Sequence, residues 1–293
     1  MGIKPYIILF IGVLSVSFAA VFIRLADAPP LVIAAYRLGI ASVILIPFAS
    51  MRFGKTLKKL SRSDILLVLL SGVFVALHFA LWITSLSYTS IASSVVLVTS
   101  HPVFVAVISY FLWRERLNRL AVLGIIVALV GVVLINYSGF SLHPQALFGD
   151  LLALLAAFFM GAYLVIGRQL RARINIWHYL AVIYTCAAII LLLAAVVSGQ
   201  SLVGYSSATY TMLILLALVP QLIGHSSLNV AVRMMPVILV SVAILGEPVL
   251  ATALGYFILG EWATTGEIVG GLLTLAGIFI VMRNKPKKDA LKL

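Results

Sequence analysis

Charge is the scarcest commodity in this chain. Of its 293 residues 10% are charged, against roughly a quarter in an ordinary soluble domain. A soluble chain of this length needs more polar surface than that. A disordered one needs high charge and low hydrophobicity. Both classes are excluded. Cysteine occurs once, as Cys186, so there is no intrachain disulfide and no cysteine metal site. No Gly-x-x-x-x-Gly-Lys-Ser/Thr run is present, so nothing points to direct ATP coupling within the chain. No nucleophile motif, His-x-x-x-His pair or selectivity-filter segment is present either, and no cofactor is implied. No linker is long enough to tether a separate soluble domain.

What the chain has is apolar residues, 63% of the total. The solvent that suits such a surface is a lipid bilayer, whose core takes about 20 apolar residues per helix. Ten segments qualify: 5–24, 31–51, 63–85, 90–112, 119–137, 147–168, 176–198, 208–227, 236–259 and 265–282. The first, led by Lys4, has the look of a signal peptide, but similar stretches recur to the end of the chain, so it reads as a first span. The expected fold is an all-α integral membrane protein with ten transmembrane helices joined by short loops.

The formal charge of +12 then reports topology. Number the connections alternately, starting from the N-terminus. All Lys and Arg residues except Arg24 and Arg37 fall on one set: the two termini and the loops after spans two, four, six and eight. The positive-inside rule places that set, and both termini, in the cytoplasm of a multi-pass protein of the cell inner (plasma) membrane. Charge divided among short loops suits anionic lipid, not nucleic acid.

Sliding the chain along itself by 146 residues exposes a repeat. His101-Pro102-Val103 falls on Glu247-Pro248-Val249, Tyr110-Phe111 on Tyr256-Phe257, and Glu115 on Glu261. Gly124, Leu129 and Gly131 fall on Gly270, Leu275 and Gly277. Tyr36 and Tyr184 match at a shift of 148. The halves are 1–140 and 147–293, with five spans each. Five is odd, so the second half crosses in the opposite sense. Two inverted five-helix repeats are an architecture many secondary transporters use for alternating access.

With these residues in place the chain resembles the drug/metabolite transporter superfamily, in its ten-helix EamA-type branch. The likeness rests on Gly149-Asp150-Leu151-Leu152-Ala153-Leu154, on Arg37 after Ala34-Ala35-Tyr36, and on Gly246-Glu247-Pro248-Val249. Tyr256-Phe257-Ile258-Leu259-Gly260-Glu261 and Ser87-Tyr88-Thr89-Ser90 extend it over nearly the whole chain. Departures are Arg114 for the usual glycine before Glu115, Ser15-Val16-Ser17 in the first span, and His101 for a small polar residue. The resemblance implies a carrier of small solutes, commonly an exporter of metabolites, amino acids or toxic compounds. It implies no single substrate.

Ionisable groups inside a span are costly and tend to face a cavity or a partner. Glu247 and His101 occupy matched positions, each just before a proline, Pro248 and Pro102. Each proline removes a backbone donor and frees a carbonyl, which membranes tolerate where the backbone lines a cavity. A His and a Glu there can relay a proton; the bland alternative is a kink with side chains tied to a neighbouring helix. Arg37 can fork onto a carboxylate, pair with Glu247, or snorkel to the interface. Span eight carries Gln221, His225 and Asn229 at helical spacing, with Ser226 adjacent. Span three carries His78 and Trp82, and span six Tyr163 beside Phe158, Phe159 and Met160. For these last groups, packing and interhelical hydrogen bonds compete with a role in a pocket. Glu115 and Glu261 read as holders of helix ends, and His143 as a solvated loop residue.

The expected function is a secondary active or facilitative transporter of small organic solutes, amino-acid-like or amphipathic, acting as an exporter. Its partners are the solute, the bilayer and a proton or counter-substrate, in a monomer or homodimer. The glycines of spans five and ten suit scaffold packing or a dimer contact. Alternatives are an exporter of cationic drugs, a channel, or a membrane metalloenzyme using His78, His101, His225 and Glu247.

Overall fold

A computed structural model describes residues 3–53, 61–135, 137, 143–170, 173–259 and 264–283, with the side chains of 50–53, 91, 92 and 255–259 excepted. Glu261, Arg171, Lys55, Lys58, Lys59 and the lysines after Arg283 lie outside the described residues. The helices are α1 (Lys4–Ser17), α2 (Ala19–Leu25), α3 (Pro30–Phe53), α4 (Arg62–Ser85), α5 (Ile91–Thr99), α6 (His101–Trp113), α7 (Arg119–Ile135), α8 (Pro144–Leu170) and α9 (Ile176–Val197). They continue as α10 (Ser207–Leu216), a π-helical segment (Ala217–His225), α11 (Ser226–Met234), α12 (Val237–Ile244), α13 (Glu247–Leu259) and α14 (Thr265–Arg283). No strand occurs among the described residues. Among the described residues nine stretches are long and apolar enough to span a membrane, and α7 is a shorter apolar helix of 17 residues. Helices satisfy their own backbone, which lipid cannot do for them. Val43, Leu66, Phe111, Leu193 and Phe279 point outward, as a lipid-facing surface requires.

The packing is reciprocal between the halves. Span three (α4) packs on span six (α8), and span eight (the π segment and α11) packs on span one (α1). Likewise α6 packs on α8, and α12 and α13 pack on α1. Spans that match in the repeat also meet directly: α3 lies on α9, and α7 lies on α14. The α7–α14 seam is closed by glycine. A methyl group on Gly124 would lie 2.9 Å from the Gly277 carbonyl oxygen, and one on Gly277 would lie 2.5 Å from that of Gly124. Gly131 and Gly270 are related in the same way, at 2.5 and 2.6 Å. Small residues let two backbones approach this closely in a membrane. The partner across this seam is the chain's own other half.

Four expected spans are not continuous α-helices. Span four parts at Ser100, whose N–H bonds back to Leu97 O at 3.1 Å before α6 opens at His101. Span nine parts at Leu245-Gly246, where two three-residue turns close at 3.1 and 2.9 Å before Glu247. Each break directly precedes a His-Pro or Glu-Pro step; the proline ring crowds the preceding turn and offers no donor. Span one parts at Phe18. Span eight extends to Met234 and widens into nine π-helical residues around Pro220. The missing Pro220 N–H would interrupt an α ladder; a wider turn redistributes the bonds, and Ser226 N–H reaches Gln221 O. Span five, expected to reach 137, ends at Ile135 as a helix.

Polar contacts clamp both ends of the bundle. At one end Arg168 grips Glu115 through two bonds of 2.7 and 2.5 Å, its guanidinium 4.2 Å from the Trp113 ring. Beside it Arg173 pairs with Asp64 at 3.0 Å, and Arg233 donates to Ile174 O. The loops after spans two, four, six and eight therefore meet at one face. At the other end Asp150 accepts from Thr89 at 2.7 Å and from Ser93 at 2.6 Å.

Candidate functional site

The broken helices converge on one narrow cavity. Its lining includes Arg37, His78, Trp82, His101, His225 and Glu247. Those six residues come from five spans: two, three, four, eight and nine. The free volume is about 30 Å³, room for one or two waters. The apolar walls include Val16, Met160, Leu228 and Ile244. That volume is too small for an organic solute.

Arg37 sits two turns into α3 and is fully buried. It neither snorkels nor pairs with Glu247. Its Nε donates to Gln221 Oε1 at 2.8 Å, and its guanidinium carbon lies 4.3 Å from the centre of the Phe79 ring. The ring face attracts the cation, and the glutamine fixes the plane of the fork. Nη1 and Nη2 are buried with no hydrogen-bond partner. A buried cation so incompletely satisfied is costly; one placed against a cavity offers its two donors to an anionic group.

The histidines have settled tautomers. His78 Nδ1 lies 3.0 Å from Ala156 O, and His101 Nδ1 lies 3.3 Å from Val98 O. A carbonyl only accepts, so both rings carry the proton on Nδ1 when neutral. Nε2 is then the accepting atom, and that of His101 has no partner. His78 stacks with Trp82 at 6.1 Å, and His225 meets the edge of Phe79 at 5.3 Å. Trp82 Nε1 is a further buried donor without a partner. Among the described residues, no three His, Cys, Asp or Glu side chains form a group able to hold a metal ion.

Gln221, Asn229 and Tyr163 stand behind the wall. Gln221 orients Arg37. Asn229 donates to Tyr163 Oη and, at 2.7 Å, to His225 O. The i, i+4 spacing that singled out Gln221, His225 and Asn229 assumes an α-helix; the π-helical segment shifts the face on which Gln221 and His225 point. Pro102 and Pro248 open α6 and α13 next to the lining residues. Two residues missed by sequence reading belong to this shell. Phe79 lies under the guanidinium. Tyr184 is fully buried with an unpartnered hydroxyl; its alignment with Tyr36 was the available signal.

A bundle of long apolar helices around a cavity lined by residues of both halves, together with the family match that follows, defines the class: this is a multi-pass membrane transporter. The EamA-like transporter family model matches twice, over residues 3–137 and 147–283, and the chain belongs to that family. It is 26% identical to an uncharacterized transporter of Clostridium kluyveri, covering 86% of this chain and 83% of that one. It is 27% identical to the uncharacterized transporter YoaV of Bacillus subtilis, covering 92% and 95%. A probable amino-acid metabolite efflux pump of Salmonella typhimurium is 24% identical, covering 93% and 92%. One crystal structure superposes with a TM-score of 0.82 at 19% identity, over 99% of both chains; that likeness concerns the fold.

Proposed function

We propose that the chain is a secondary transporter exporting small amino-acid-like solutes by alternating access around the central cavity. The observation that carries this is the arrangement of Arg37 and Glu247. Both line one cavity, yet Arg37 spends its bonds on Gln221 and leaves two donors open. A zwitterion satisfies both: its carboxylate meets the Arg37 fork and its ammonium meets Glu247. The Salmonella relative, named a probable amino-acid metabolite efflux pump, supports this class.

Residues 1–140 and 147–293 act as the two inverted repeats, moving against each other about the breaks at Ser100 and Gly246. The reciprocal glycine contacts and the double family match support that division. Termini are cytoplasmic, since the basic loops gather at one face. Protons couple through His101 Nε2 and Glu247, which line the same space as the Arg37 cation and the His78 and His225 rings.

Purified protein in liposomes should move leucine down its gradient, faster when a pH gradient is imposed. Glu247→Gln should flatten the dependence of transport on pH, since the substitution removes an ionisable group from the cavity. Unchanged pH dependence would remove Glu247 from coupling. Failure to move any amino acid or amphipathic amine would overturn the substrate class.

A further inference from the structure

Arg24 breaks the charge pattern of the chain. It is the one Lys or Arg on the connections opposite the basic loops, where the positive-inside rule disfavours it. The structure gives it a place. A second cavity, about 230 Å³, opens at that end between spans one to four. Arg24 lines it, with Pro30, Ile83 and Ser87. Asp27, in the same connection, is exposed and does not line it.

Trp82 lines this cavity and the central one alike. A single indole is thus a shared wall between an outer vestibule and the polar core. Its Nε1 is buried without a hydrogen-bond partner, and a buried unmet donor is costly unless something comes to meet it. The Arg24 fork and the Trp82 ring border a vestibule whose other walls are Ala, Ile, Leu, Val and Pro with one serine. Arg24 also sits in the last turn of α2, where any cation suits the helix dipole. That explains a positive charge; it does not explain the cavity beside it.

We propose that this vestibule is a second binding site, for the carboxylate of an amphipathic solute, with Arg24 as the recognising group and Trp82 as the partition to the central cavity. The placement on the pathway rests on the transport reading; the site itself does not. A lipid headgroup phosphate offers similar chemistry, so the test must separate the two sources.

The test uses Ser87→Cys in a Cys186→Ala background, reconstituted in phosphatidylcholine vesicles. Ser87 is exposed and lines the vestibule. Labelling rates are measured with anionic and cationic methanethiosulfonate reagents, each normalised to a free thiol. The anionic reagent should react faster by about threefold or more, as a nearby cation dictates. Arg24→Gln should abolish that preference, and Arg24→Lys should keep it. Benzoate, but not benzylamine, should slow labelling saturably, and Arg24→Gln and Arg24→Lys should both weaken that protection, since lysine lacks the fork. No anion preference, or protection indifferent to Arg24→Gln, would overturn the proposal. So would protection by phosphatidylglycerol in the vesicle in place of benzoate, which would assign the site to lipid. Labelling needs no turnover, so its failure leaves the transport reading standing, and failed transport leaves the vestibule standing.

Discussion

Along the α7–α14 seam, backbone meets backbone across Gly124, Gly131, Gly270 and Gly277. Around Arg37, side chains meet a gap, and several of their polar atoms have no partner. The seam is packed to the limit of what atoms allow, and its buried hydroxyl, Thr274, donates to Gly270 O in its own helix at 2.9 Å and towards Ala128 O across the seam at 3.4 Å. The cavity is lined by residues that cost stability where they stand. Binding energy held back in the resting protein is available when a solute arrives. The two halves of the chain are joined where they are best packed, and the proposed site lies where polar groups are worst satisfied.

Substitutions should separate the two regions. The largest effect is expected at Arg37. Arg37→Gln should weaken leucine binding by about 30-fold or more, the scale of a lost charged hydrogen bond. The melting temperature in detergent should hold or rise, because an incompletely paired buried cation is gone. In the seam the pattern reverses. Gly131→Val should cost about 1–3 kcal/mol of stability, read by thermal unfolding, with transport per folded molecule preserved. At the basic end, Glu115→Gln should cost about 1 kcal/mol, since Arg168 is buried but Glu115 is a quarter exposed (26%). Smallest is Tyr163→Phe, which removes the acceptor for Asn229 behind the cavity. It should cost about 1 kcal/mol or less of stability and leave leucine affinity within about twofold of wild type, a difference of about 0.4 kcal/mol. A Tyr163 variant that lost transport without losing stability would move that residue into the site.

Span number, the basic face and the two proline steps could be read from the sequence because each rests on a local or summed property: hydropathy over a window, charge per loop, a missing N–H. Six of the nine candidate side chains meet in one cavity for a related reason. An ionisable group in a bilayer has few other places to go. What escaped was set by contacts between distant segments. Gln221 and Arg37 are 184 residues apart, and no spacing rule links them. Pro220 gave a hint of the π-helical turn, but an interior proline bends, breaks or widens a helix according to its neighbours. The break at Phe18 has no proline or glycine to announce it. Packing on the π segment and α11 through Gly12 and Gly224 shapes span one from outside.

The central claim is that Arg37 and Glu247 receive opposite ends of one solute. Binding of leucine, leucinamide and 4-methylpentanoate to the wild type, Arg37→Gln and Glu247→Gln tests it directly. Leucinamide keeps the ammonium and lacks the carboxylate; 4-methylpentanoate is the reverse. Arg37→Gln should lose leucine and 4-methylpentanoate while retaining leucinamide, and Glu247→Gln should lose leucine and leucinamide while retaining 4-methylpentanoate. Equal weakening of all three ligands by both variants would contradict the account.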